Sequence, residues 1–263
     1  MRLGVVQSSP VFGDVERNFR RAEELLASSH ADLWVLPELF ASGYQFASQQ
    51  EVSAFAEPVP AGPVTRRLVT LSRDLHAHLV AGLAERWDGE LYNTAVLVGP
   101  QGLVARYRKV HLFAAEKRWF SPGDLPFPVV DLGEARVGIL ICFDHLFPEA
   151  ARTLALRGAD LVLHPANLII PDVGQLTMRV RAIENGVFTA TANRVGIERR
   201  GDSTLRFTGR SQIVSPRGRL LARCSEELEE VRVVEVDPAE ARDKHLNAEN
   251  DLLTDRRPEW YAR

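Results

Sequence analysis

Apolar positions along this chain follow two periods that alternate. Residues 3–7 form a short apolar run that predicts a buried strand. Asp14 then reads as an N-cap, and Val15, Phe19, Ala22, Leu25 and Leu26 share one helical face. Leu33-Trp34-Val35-Leu36 predicts a second strand, stopped by Pro37, and Val64, Leu68, Leu71 and Leu75 predict a helix over residues 63–76. Three strands follow without helices between them, over residues 78–86, 91–99 and 103–110, separated by the turn-like Asp88-Gly89 and Pro100-Gln101-Gly102. This is a meander. Further on, strands are expected over residues 136–142, 160–164 and 187–193. Helices are expected over residues 148–157 and 175–185, ended by Gly158 and Gly186. Strands over residues 212–214, 220–224 and 230–236 close the pattern.

Strand–helix units, a meander and closing strands suit an α/β domain of mixed sheets with helices outside. Two sheets packed face to face under helices would bury strands that are apolar on both sides. No linker or fixed-period repeat divides the 263 residues, so one domain is expected over 1–263. Its tail, 237–263, is polar and charged, with Leu252, Leu253, Trp260 and Tyr261 as anchors, and such a tail suits docking on a neighbouring subunit.

Composition narrows the function classes. Hydrophobic residues are 45% and charged residues 25%, as in an ordinary globular domain, and the net charge of -3 carries no footprint for nucleic acid or anionic lipid. No run reaches the length of a membrane span, and the N-terminus lacks the pattern of a signal peptide. Two cysteines, Cys142 and Cys224, are too few for a disulfide framework and fit a reducing cytoplasm. Small molecules and copies of the same chain are the expected partners.

Three segments could carry chemistry. Cys142 ends a strand that turns towards a helix near Pro148, a place where α/β sheets bind ligands. A sulfur facing that helix N-terminus would gain thiolate character, whereas a core cysteine is the other reading. Glu38 follows Trp34-Val35-Leu36-Pro37 and precedes Leu39-Phe40. Burial there would raise its pKa towards that of a general base, and a glutamate opening a surface loop is the alternative. Alternation places Tyr107 and Lys109 on one strand face and Arg106 and Arg108 on the other. Lys109 could then supply fixed charge to an oxyanion, or be a solvated edge-strand lysine.

Taken together, Trp34 to Phe40 with Ser42-Gly43-Tyr44, Arg108-Lys109-Val110-His111-Leu112-Phe113, and Cys142-Phe143-Asp144 with Phe147-Pro148-Glu149 resemble the nitrilase superfamily of carbon–nitrogen hydrolases. The likeness continues through His164-Pro165-Ala166-Asn167 and Arg181-Ala182-Ile183-Glu184-Asn185 and spans nearly the whole chain. It implies a four-layer α-β-β-α sandwich, dimers joined through helical faces into an eight-layer particle, and a Glu38, Lys109, Cys142 triad. It also implies a second glutamate, matched by Glu116, and no metal or organic cofactor. The backbone N–H of Phe143 would join Lys109 at the oxyanion. Tyr44, Trp119, Phe120 and His145 are candidate pocket walls, each equally readable as core or surface. Phe143-Asp144 after the cysteine tilts the substrate towards a small linear amide, with a nitrile or carbamoyl amine as alternatives. A silent scaffold of the same fold is the contrasting class.

Overall fold

The computed structural model describes residues 1–261. Its first half supplies strands β1 (Arg2–Gln7), β2 (Leu33–Val35), β3 (His78–Trp87), β4 (Glu90–Gly99) and β5 (Gly102–Arg108). The second half supplies β6 (Val129–Asp131), β7 (Arg136–Ile139), β8 (Leu161–Pro165) and β9 (Phe188–Ala192). It continues with β10 (Ile197–Arg200), β11 (Ser203–Arg206), β12 (Gln212–Val214), β13 (Leu220–Arg223) and β14 (Glu230–Glu235). Helices are α1 (Val15–Ala27), α2 (Gln49–Phe55), α3 (Pro63–Leu75), the short α4 (Glu116–Trp119), α5 (Pro148–Leu156) and α6 (Val173–Asn185).

Two six-stranded sheets result, in the orders β14-β1-β2-β3-β4-β5 and β13-β12-β9-β8-β7-β6, with β10 and β11 as a separate hairpin. Each is mixed: β1, β2 and β3 run parallel, as do β7, β8 and β9, with antiparallel strands outside them. Strand alternation explains the layering. Leu3, Val5, Leu33 and Val35 meet Ile139, Leu161, Leu163 and Ala190 between the sheets. The opposite face of the first sheet packs Val6, Trp34 and Leu79 on Phe19, Leu26 and Leu68 of α1 and α3. Val162 of the second sheet packs on Ala151 and Leu154 of α5 and Met178 of α6. The result is the α-β-β-α sandwich.

Local signals explain the boundaries. Asp14 accepts a hydrogen bond from the Arg17 N–H at 3.1 Å and caps α1. Gly186, in the left-handed region, ends α6. Where the pattern predicts a strand over residues 136–142, however, β7 stops at Ile139, and Cys142–Leu146 forms a 3-10 turn. The Asp144 carboxylate accepts the Ile141 N–H at 2.9 Å, which removes that donor from the ladder. Helix α2, strand β6 and the β10–β11 hairpin are additions to the expected pattern; each is short, and short segments carry little periodicity.

The described part of the tail docks on its own chain. Lys244 donates to the Asn185 and Gly186 carbonyls at 3.0 and 2.7 Å, so a cation sits at the C-terminal end of α6. Arg242 pairs with Asp160 at 3.3 Å. None of the described helices is long and apolar enough to cross a membrane.

One glycine lets β3 lie close against the turn that carries Glu38. A Cβ on Gly82 of β3 would lie 2.5 Å from Glu38 Cα and 2.6 Å from Leu39 N, both backbone atoms. Gly82→Ala should therefore displace the Glu38 turn and cost about 1–3 kcal/mol by overpacking. Chemical denaturation checks this; a midpoint equal to that of the parent chain would refute the close approach.

Candidate active site

Glu38 lies on the turn after β2. Leu36 N–H donates to the Val80 carbonyl at 2.8 Å, and Gly82 N–H to the Pro37 carbonyl at 3.2 Å, so β3 grips the turn on either side. Lys109 is the first residue beyond β5, its N–H bonded to the Asn93 carbonyl of β4 at 2.8 Å. Glu116 opens α4, and its carboxylate accepts the Phe113 N–H at 3.1 Å. Cys142 opens the 3-10 turn after β7 with φ +42°, a left-handed conformation uncommon outside glycine. Strained backbone of this kind concentrates at functional sites.

These four residues converge below the surface. Lys109 Nζ donates to Glu38 Oε1 at 2.7 Å and reaches the Glu116 carboxylate at 2.8 Å. Glu38 and Lys109 are each 1% exposed, and Glu116 and Cys142 5%. Asn93 Nδ2 also donates to Glu38 Oε1, at 2.7 Å, while Glu38 Oε2 has no hydrogen-bond partner among the described residues. Tyr44 places its hydroxyl 2.6 Å from Glu116 Oε1 as a donor. The alternation on β5 has its counterpart in the partners. Arg106 and Arg108 both pair with Glu85, each at 2.8 Å, whereas Tyr107 and Lys109 turn to the side of Cys142.

Electrostatics follow from burial. Desolvation raises the Glu38 pKa above its ordinary value, opposed by Lys109 and assisted by Glu116. Burial alone would lower the Lys109 pKa, but Glu116 and Glu38 together raise it, so the ammonium stays charged. Burial pushes the Cys142 thiol well above its ordinary range; Glu38 adds to this and Lys109 opposes it. The thiolate character expected from a helix N-terminus is therefore replaced by a resting thiol. The reason is positional: α5 begins only at Pro148, beyond the whole 3-10 turn.

The turn itself is anchored by residues to which the sequence motifs assigned no positioning role. Asp144 Oδ2 accepts the Ile141 N–H at 2.9 Å and the Tyr107 hydroxyl at 2.8 Å. Its Oδ1 lies 2.7 Å from His111 Nδ1. One carboxylate thereby ties the Cys142 turn to both sides of Lys109. His164 Nε2 lies 2.9 Å from the Cys142 carbonyl oxygen, and Asn167 Nδ2 donates to the Glu38 carbonyl at 2.9 Å. The available signal was polarity out of place: Asn93 lies inside a buried strand, and His164 and Asn167 at the end of another.

Two adjoining spaces open at the site. A small one of about 40 Å³ is lined by Cys142, Phe143, His145 and Asn167. A larger one of about 440 Å³ is lined by Tyr44, Glu116, Trp119 and Phe120, and the two share Phe113 and Ile169. All four candidate wall residues thus border one space or the other. His145, whose Nδ1 lies 2.6 Å from the Thr177 hydroxyl, has its pKa lowered to about 4 by burial and by Arg181 and Lys109. Phe143, second in the 3-10 turn, carries a main-chain N–H at the end where such groups lack intrahelical acceptors. Cys224 lies elsewhere in the core, its thiol pushed up to about 12 by burial and by Glu230.

Residues 2–245 match the family model described as carbon-nitrogen hydrolase. A protein called nitrilase from Pyrococcus abyssi is 47% identical over the full length of both chains. An (R)-stereoselective amidase from a Pseudomonas species is 37% identical, covering 98% of this chain and 92% of its own. The solved structure of an amidase from Nesterenkonia sp. is 30% identical with a TM-score of 0.81, over 98% of this chain and 94% of its own. A Glu-to-Gln variant of that amidase (TM-score 0.80, 30% identical, same coverage) carries the acetamide moiety of fluoroacetamide covalently at its active-site cysteine. By its fold and by a match over nearly its whole length, this chain belongs to the carbon–nitrogen hydrolase family of the nitrilase superfamily, whose members hydrolyse carbon–nitrogen bonds.

Proposed function

We propose that this hydrolase cleaves a small linear amide to a carboxylic acid and ammonia through a thioester on Cys142. The observation that carries the reading is Lys109, held charged between Glu38 and Glu116 while one Glu38 oxygen stays unclaimed. Glu38 Oε1 already accepts from Lys109 and Asn93, so Oε2 is the atom available for a proton. In the first step Oε2 takes the thiol proton as Cys142 sulfur attacks the amide carbon. The carbonyl electron pair moves onto oxygen, where Lys109 and the Phe143 N–H meet it; such donors are typically worth about 3 kcal/mol each. Glu38 then returns the proton to nitrogen, the C–N bond breaks, and ammonia leaves. A water deprotonated by the same glutamate attacks the thioester; the C–S bond breaks with its electron pair on sulfur, Glu38 returns the proton to Cys142, and the acid is released.

Glu116 holds Lys109 from the far side, and Tyr44 fixes Glu116. The small space beside Cys142 suits a carboxamide, and the larger one, walled by Trp119 and Phe120, suits a short acyl chain. The 47%-identical relative called nitrilase favours a second reading, a nitrile substrate that would add a thioimidate step. A homodimer is also proposed. Leu176, Val180 and Ile183 are exposed at helical spacing on α6 and would be covered by a second copy. Sedimentation at micromolar concentration should give twice the chain mass; a monomer would exclude that contact.

Activity is tested by product analysis over short amides, carbamoyl amines and nitriles, with acyl-Cys142 followed by mass spectrometry. Primary amides should release ammonia fastest, Cys142→Ala should lower turnover at least ~1,000-fold with its fold intact (removal of a nucleophile can cost up to ~10⁶-fold), and Cys224→Ala should have little effect. No adduct and no product across the panels would leave only the silent scaffold. The pH dependence has a definite sign. Glu38 must be ionised to act, and its pKa is raised above 4.5, so kcat/KM should fall on acidification through a midpoint above that value. A limb centred at or below 4.5 would remove Glu38 as the base.

A further inference from the structure

Asn167 follows β8 and occupies a position between nucleophile and base. It lines the same small space as Cys142, and its Nδ2 donates to the Glu38 carbonyl at 2.9 Å. That bond fixes which end of the side-chain amide is which, because a carbonyl can only accept. The other end, Oδ1, is then an acceptor, and it has no partner among the described residues although Asn167 is 2% exposed. A buried acceptor without a donor is unfavourable and calls for one. Asn93 is similar, with Nδ2 on Glu38 and Oδ1 unpartnered, but it borders neither space at the site. Asn167 lines the small space together with Cys142.

We propose that Asn167 Oδ1 accepts a hydrogen bond from the leaving –NH2 of the substrate and so selects a primary amide over acyl compounds whose leaving atom bears no hydrogen. The inference rests on the thioester reading above. In the tetrahedral intermediate the nitrogen receives its proton from Glu38. One of its own N–H bonds points to Asn167 Oδ1, which orients the nitrogen lone pair towards Glu38. When the C–N bond breaks, its electron pair goes to nitrogen, the carbonyl re-forms, and ammonia departs past Asn167. A methyl ester of the same acid offers its leaving oxygen without hydrogen and leaves Oδ1 unpaired, so the site discriminates against it before and during acylation.

The test compares single-turnover acylation by a primary amide and by the methyl ester of the same acid, in the full chain and in Asn167→Leu. Both substrates form the same thioester, so deacylation cancels from the comparison. The amide-to-ester ratio should fall about tenfold or more in Asn167→Leu, the scale of one hydrogen bond, beyond any slowing that loss of the tie to the Glu38 carbonyl brings to both substrates alike. Asn167→Ser, which leaves the site smaller but polar, serves if the leucine variant does not fold, and should also lower the ratio. An unchanged ratio, with both rates falling together, would reduce Asn167 to a structural tether and overturn the proposal. Failure of the parent chain to acylate with any amide would instead overturn the thioester reading itself.

Discussion

The interaction on which this site depends is a buried ammonium shared by two carboxylates. Lys109, Glu38 and Glu116 are almost wholly out of water, where an isolated charge of either sign is costly. Lys109 offsets that cost for both glutamates, yet one positive charge cannot fully compensate two negative ones. The imbalance has a consequence: Glu38 titrates above its ordinary range while Lys109 remains charged. A base poised closer to neutrality and a permanent cation are thus two results of one cluster. Removing any member would leave another charge unpaired, so the three act as a unit.

The same low-polarity setting decides the state of the sulfur. Burial and the neighbouring carboxylates favour the neutral thiol at Cys142, more strongly than Lys109 favours the thiolate. Proton removal then belongs with attack instead of preceding it, which gives Glu38 a part in every step of the proposed reaction. Cys224 is buried too, but its neighbours are Glu230, Arg232 and Ser211 in place of Lys109 and its two glutamates. What separates the two cysteines is their company, since their burial is alike.

Around the charged cluster, uncharged and singly charged groups hold position. Asp144 binds the turn of Cys142 to Tyr107 and His111 on either side of Lys109. Asn93 and Asn167 grip Glu38 by its carboxylate and by its carbonyl. The segments that carry Glu38 and Cys142 are therefore each joined to other strand ends by a side chain. The inner faces of the two sheets pack together in a core that includes Cys142.

Much of the architecture was legible in the chain because strand and helix periods leave a direct imprint on the order of apolar residues. The paired sheets, α1, α3, α5 and α6, and the Asp14 and Gly186 caps all follow from local rules. The motifs around Glu38, Lys109 and Cys142 carried the family, and the geometry brings those residues and Glu116 together. Local pattern could not locate the end of β7, because the donor taken from the ladder goes to a side chain, Asp144, further along. Nor could it yield the resting protonation of Cys142, which depends on desolvation and on Glu38, Lys109 and Glu116, all distant in the chain. Asn93, Asp144 and Asn167 were visible as polar residues in apolar surroundings, but their partners are distant in sequence. The sequence by itself determined the longer elements, their faces and the family; the tertiary structure decided the short elements, which polar atoms meet and which remain unpaired, because those depend on contacts that no local period encodes.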